Sequence, residues 1–120
     1  MMKDTTRARV AAAVGAAALR QDVTSVYDYS SGGYKSISAS IGNGSLNGYD
    51  YTTSSYFTGS GGSSLDFYDY HNSKHVQLKL DSNSFDGYDY DSGKHFSGTV
   101  NGNSISIYDY ETSKYYNYSV

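Results

Sequence analysis

The chain has no cysteine, no proline and no tryptophan in its 120 residues. Without cysteine it can form neither a disulfide nor a thiolate metal site, and redox chemistry says nothing about its compartment. Without proline, one of the common devices that blunt sheet edges is missing. Long aliphatic and phenylalanine side chains are scarce: Leu, Ile, Val and Phe together number 20, a level at which disorder is the usual suspicion. A net charge of only -3 speaks against that reading, because disordered chains of this kind are normally highly charged. The same slight acidity leaves no basic stripe for a phosphate backbone, so a nucleic-acid partner is not expected. No run approaches the roughly eighteen apolar residues of a membrane span.

What the chain has instead is tyrosine, 15 of them, large rings able to supply the missing apolar surface. They are not scattered. The triplet Tyr-Asp-Tyr stands at 27-29, 49-51, 68-70, 88-90 and 108-110, at spacings of 22, 19, 20 and 20 residues. Around each triplet lie two alternating stretches joined by a short polar turn, "TTSS", "HNSK", "DSGK" or "ETSK" in the last four copies, with an exit such as "NGN". That pattern predicts one β-hairpin per repeat.

The expected fold is all-β: an antiparallel meander of five roughly 20-residue hairpins over 23-120, whose even spacing permits an open layer, a closed barrel or a solenoid and whose one-sided glycine pattern favours an open single-layer sheet. Pairing the second tyrosine of each triplet with the residue after the turn sets Tyr90 against His95 and Tyr110 against Tyr115. Alternation then puts Tyr29, Tyr34, Tyr51, Tyr56, Tyr70, His75, Tyr90, His95, Tyr110 and Tyr115 in one row on one face. Tyr27, Tyr49, Tyr68, Tyr88 and Tyr108 form a second row beside them. On the opposite face this register pairs Val26 with Ile37, Gly48 with Gly59, Phe67 with Leu78, Gly87 with Gly98 and Ile107 with Tyr118. Large meets large and glycine meets glycine, which reads as ridges and grooves on a packing face.

The covering element for that face is the alanine-rich segment 3-22, within an N-terminal region of residues 1-22. Asp4, Thr5 and Thr6 are candidate caps, and Val10, Ala13, Val14, Ala17 and Ala18 share one narrow side of a helix. The same region, with Lys3, Arg7 and Arg9 ahead of "VAAAVGAAAL", has the outline of a leader; Asp4 and the weak hydrophobicity of alanine argue against one. The compartment is therefore left open: intracellular if the segment is retained and docked, secreted if residues 1-18 are a cleaved leader.

Residues 88-94, "YDYDSGK", resemble the tyrosine-aspartate repeats of large bacterial surface and toxin-shell proteins, in which Tyr-x-Tyr-Asp precedes a Gly-Lys or Gly-Arg turn. "YDYETSK" departs from that pattern at Glu111 and Ser113, and "YDYTTSS" has neither the Asp nor the Gly. The spacing of Gly87, Gly93 and Gly98 is similar to that of MORN repeats, a hairpin meander with exposed aromatics. Both resemblances imply architecture across 23-120 and no catalytic residue.

The chemistry-bearing residues are repeated rather than unique. Asp28, Asp50, Asp69, Asp89 and Asp109 fall on alternate strands about 10 Å apart, too far for one metal ion to bridge neighbouring repeats. They are expected to accept turn N–H groups or to pair with Lys74, Lys94 and Lys114. His71 and His75 flank one turn but lack a third ligand, and His95 lies a full repeat away. Ser45, Ser64, Ser84 and Ser104 recur at strand entries, whereas a nucleophile needs a unique base and orienter. "GSGGSS" at 59-64 lacks the lysine and helix of a phosphate cradle. No catalytic residue, cofactor or metal is expected.

Two functions are expected instead. The first is a structural protein self-assembling through its sheet edges and tyrosine face, because "YYNYSV" at 115-120 would form an edge strand with no charged side chain; the product would be a homo-oligomer or filament. The alternative is a module binding a glycan or extended peptide on the aromatic row.

Overall fold

The computed structural model describes residues 2-61 and 63-120; Met1 and Gly62, the latter within "GSGGSS", lie outside the described residues. One helix, α1 (Asp4–Leu19), is followed by β1 (Val26–Asp28), β2 (Gly33–Lys35), β3 (Ile37–Gly42), β4 (Ser45–Asp50), β5 (Ser55–Ser60), β6 (Ser64–Asp69), β7 (Lys74–Asp81), β8 (Ser84–Asp89), β9 (Lys94–Asn101), β10 (Ser104–Asp109) and β11 (Lys114–Ser119). From β3 to β11 each strand pairs antiparallel with the next. The meander of hairpins expected from the repeats is present.

The sheet is not flat. β1 pairs with the last strand, β11, through Tyr27 with Ser119 and Asp28 with Tyr118. Just ahead of β1, Val23 exchanges both backbone hydrogen bonds with Ala39 of β3, at 2.8 and 2.9 Å. The first strand thus sits between the two ends of the meander and draws them into a nearly closed barrel. Eleven strands laid side by side would span about 50 Å at the usual spacing, yet the longest extent is 35 Å. The open layer expected from the glycine pattern is corrected to this curled form, and the edge expected at 115-120 is covered by β1.

Enclosure explains the helix. From Thr6 to Ala16 every α1 side chain is buried, so the helix does not dock by one stripe; it fills the lumen. A helix surrounded on all sides needs no amphipathic pattern, and small side chains let the sheet close around it. Gly15 sits against Val120 and Val23, where a methyl group would press on both valines. Lys3 stands at the N-cap with no side-chain cap bond, unlike the capping expected from Asp4, Thr5 or Thr6, and Arg20 ends the helix in the left-handed region at φ 53°.

The register also differs from expectation, by two residues in every hairpin. Tyr88 faces His95, Tyr108 faces Tyr115, Tyr68 faces His75, Tyr49 faces Tyr56 and Tyr27 faces Tyr34. The cause is in the turn. Each triplet's aspartate closes the strand, and its second tyrosine is already the first of four loop residues, as in Tyr90–Gly93. In all five hairpins the fourth loop residue takes positive φ: Gly32, Ser54, Ser73, Gly93 and Ser113. On the inner face glycine therefore meets a ring, not another glycine. Gly48 lies opposite Phe57, Gly59 opposite Phe67, Gly87 opposite Phe96 and Gly98 opposite Phe85. A phenylalanine lying over a bare backbone fills the space a side chain would take, which keeps the scarce large residues in the core.

Candidate functional site

The middle residue of each triplet points inward. Asp28, Asp50, Asp69, Asp89 and Asp109 are all buried and sit at the ends of β1, β4, β6, β8 and β10, forming a ring of carboxylates inside one rim of the barrel. One oxygen of each, Oδ1, accepts the N–H two residues on: Ser30 at 2.9 Å, Thr52 at 2.9 Å, His71 at 3.0 Å, Asp91 at 3.1 Å and Glu111 at 2.9 Å. The turn role expected for these aspartates is their common role.

The charge partners of Asp50, Asp69 and Asp109 are on the helix and that of Asp28 is Lys35, at 4.0 Å, rather than Lys74, Lys94 or Lys114. Arg9, fully buried, gives Nε to Asp50 Oδ2 at 2.8 Å, Nη1 to Asp69 Oδ2 at 2.6 Å and Nη2 to Thr53 Oγ1 at 3.0 Å. The carboxylates of two neighbouring repeats are thus bridged by one guanidinium, whose donors fan outward. Arg7 reaches Asp109 Oδ2 at 3.4 Å and the Met2 carbonyl at 2.7 Å, pairs with Asp4, and stacks 3.7 Å over the Tyr116 ring. Asn72 donates to Thr6 Oγ1 at 3.0 Å and to Asp69 Oδ2 at 3.1 Å, tying the turn after β6 to the helix.

The five sites are electrostatically unequal. Burial alone would raise the carboxyl of Asp28, but hydrogen bonds from Ser30 and Ser31 and the charge of Lys35 outweigh it and hold it below the usual value. At Asp89 burial wins: its carboxyl is pushed up, and the N–H of Asp91 offsets this only in part. Asp89 Oδ2, Ser92 Oγ and Arg7 Nε are buried with no hydrogen-bond partner among the described residues. Tyr118, buried beside the ring, is shifted well above the ordinary phenol value, first by burial and then by the charge of Asp28, with Arg7 opposing.

The flanking tyrosines point outward. Tyr29, Tyr34, Tyr51, Tyr56, Tyr70, Tyr90, Tyr110 and Tyr115 are 48 to 78% exposed, and His75 and His95 are exposed beside them. The row predicted from the sequence is thus on the outer face, but its rings group by hairpin. The half-buried Tyr27, Tyr49, Tyr68, Tyr88 and Tyr108 anchor each group. Each anchor touches the ring two residues on and the ring across the hairpin, all at centroid separations of 4.7 to 4.9 Å: Tyr27 with Tyr29 and Tyr34, Tyr49 with Tyr51 and Tyr56, Tyr68 with Tyr70 and His75, Tyr88 with Tyr90 and His95, Tyr108 with Tyr110 and Tyr115. Most of these contacts are edge-to-face, the arrangement ring quadrupoles favour.

Below this girdle the outward strand positions are polar, with Asn47 beside Thr58, Asp66 beside Gln77, Asp86 beside Ser97 and Ser106 beside Asn117. Clefts open between adjacent hairpins. One of about 840 Å³ is bordered by Gln77, Tyr88, Lys94, His95, Tyr110 and Glu111; another of about 350 Å³ lies among Asp66, Lys74, His75 and Tyr90. His75 Nδ1 lies 3.1 Å from Asp66 Oδ1, and the Ser97 and Tyr110 hydroxyls are 3.2 Å apart. Among the described residues no three His, Cys, Asp or Glu side chains come together to hold a metal ion, and no helix is long and apolar enough to cross a membrane.

No family model, curated protein or solved structure matches the chain. The likeness to tyrosine-aspartate and MORN repeats is one of motif.

Proposed function

We propose that the protein is a non-enzymatic binding module whose tyrosine girdle takes an extended, hydroxyl-rich polymer, a glycan before a peptide. The observation that carries this reading is fivefold repetition of one aromatic group on the outer face, with a row of Asn, Ser, Thr, Asp and Gln immediately below it. Exposed rings offer rigid apolar area for the faces of sugar rings, and the polar row offers donors and acceptors for their hydroxyls. Repetition suits a repetitive ligand, because each further contact along one polymer is intramolecular and multiplies avidity.

A glycan array followed by calorimetry tests it. Tyr70→Ala and Tyr90→Ala are each expected to weaken binding by about 1 kcal/mol, roughly fivefold in Kd, with larger losses when combined. An array without hits, or affinities indifferent to both substitutions, would refute the reading.

Self-association is the second reading, with its route moved. With β11 covered by β1, strand addition at 115-120 has no support, while eight exposed tyrosines around one rim provide a contact surface. Sedimentation across a dilution series separates the two: a monomer at high concentration removes self-association and leaves the binding reading intact.

A further inference from the structure

Phenols are one-electron reductants, and this chain concentrates them where an oxidant can reach. It has no cysteine and no tryptophan, and Met2 is buried. Oxidising equivalents arriving at the surface therefore meet tyrosine as the most abundant reactive side chain. In three hairpins the rings facing each other across the strands are both phenols: Tyr27 with Tyr34 at 4.7 Å, Tyr49 with Tyr56 at 4.7 Å and Tyr108 with Tyr115 at 4.8 Å. In the other two the facing ring is His75 or His95, and the contacts every anchor also makes with the tyrosine two residues on, such as Tyr68 with Tyr70 at 4.8 Å, join no second strand.

We propose that these three facing tyrosine pairs are sites of oxidative coupling, in which peroxide and a haem peroxidase join the two strands of a hairpin through dityrosine. Each phenol gives up one electron and its hydroxyl proton. The two phenoxyl radicals form a carbon–carbon bond between ring carbons ortho to their oxygens, and the hydrogens on those carbons move to the oxygens to restore both phenols. The two electrons and two protons released reduce one hydrogen peroxide to two waters. Facing rings already in contact place the second radical beside the first, so coupling within a hairpin competes with diffusion to another copy. A cross-link of this kind constrains the unfolded chain as a disulfide does, in a protein that has no thiol to make one.

The test treats the full chain with hydrogen peroxide and a haem peroxidase, then maps cross-linked peptides by mass spectrometry. Links lighter by two hydrogens are expected between Tyr27 and Tyr34, Tyr49 and Tyr56, and Tyr108 and Tyr115, with dityrosine fluorescence and a raised thermal midpoint. Tyr115→Phe is expected to abolish the last link alone. His75→Tyr is expected to add a fourth, to Tyr68. Absence of dityrosine, links only between separate copies or only between tyrosines two residues apart, or a His75→Tyr chain with no new link to Tyr68 overturns the proposal. The outcome is independent of whether the girdle binds a glycan.

Discussion

Replacing Arg9 by methionine separates the ionic from the apolar share of the barrel's interior. Methionine has a similar reach and fits an apolar lumen, so the substitution removes charge and hydrogen bonds with little loss of volume. What it leaves behind is the expensive part. Asp50 and Asp69 are both buried, and Arg9 is bound to each at 2.8 and 2.6 Å. Stripping the cation from a buried pair costs about 3–5 kcal/mol, because the carboxylates stay desolvated with nothing opposite them. For a chain of this length that is a fall of roughly 10–20 °C in thermal midpoint, followed by circular dichroism.

The argument is sharper in combination. Arg9→Met with Asp50→Asn and Asp69→Asn removes the orphaned charges as well, while each asparagine oxygen can still accept its turn N–H from Thr52 or His71. Such neutral replacements of a whole buried ion cluster are often close to neutral in stability, so most of the loss should return. Arg9→Lys should fall between, since a point ammonium cannot span two carboxylates and Thr53 as the fork does. A single Arg9→Met variant within about 1 kcal/mol of the parent, or a triple variant no more stable than the single, refutes the assignment of Arg9 as the lumen's counter-ion.

Two further perturbations test the inner face. Gly59→Ala places a methyl group on the backbone carbonyl of Asp66, and Gly48→Ala places one only on the Phe57 ring; chemical denaturation should show losses of about 1–3 kcal/mol for both, and adding Phe57→Leu should rescue Gly48→Ala but not Gly59→Ala. Asp89 runs opposite to Asp28: its folded-state carboxyl is raised, so it binds its proton more tightly when folded, and the stability it contributes is present below the ordinary carboxylate value and lost as pH rises through the raised one. Asp89→Asn should therefore stabilise at neutral pH by about 1 kcal/mol and remove that slope, an outcome excluded if its melting curve at neutral pH falls below the parent's.

The hairpins were legible because period-two alternation and a twenty-residue repeat are properties of the sequence itself, and the sorting of tyrosines to one face needs only parity. Register was not. Whether a strand ends at Asp89 or Tyr90 depends on which residue's carboxylate closes the turn, and an Asx turn beginning one residue earlier shifts each pairing by two while leaving every side chain on its face. Closure was equally hidden, since it rests on Val23 meeting Ala39 and on β1 meeting β11, contacts between segments that show no mutual pattern. A signal for the ion cluster was present: parity puts the five aspartates on the apolar face, where charges require partners, and Arg7 and Arg9 stand in the one segment available to cover it.

The recurrence of Tyr-Asp-Tyr then has one physical explanation with two faces. In a strand, three successive residues must point out, in and out, so a turn-capping aspartate directed to the lumen obliges its neighbours to face solvent. The ion pairs cannot be what holds the aspartate in every copy. Asp89 has no cation within bonding range among the described residues, yet it caps its turn as the others do. Turn closure is the role all five share, and Arg9, Arg7 and Lys35 answer the charge that closure brings inside at Asp50, Asp69, Asp109 and Asp28. The ring across each hairpin carries no such constraint, being tyrosine in three copies and histidine in two. The barrel's interior therefore fixes where the girdle's rings stand while leaving their chemistry free to differ from hairpin to hairpin.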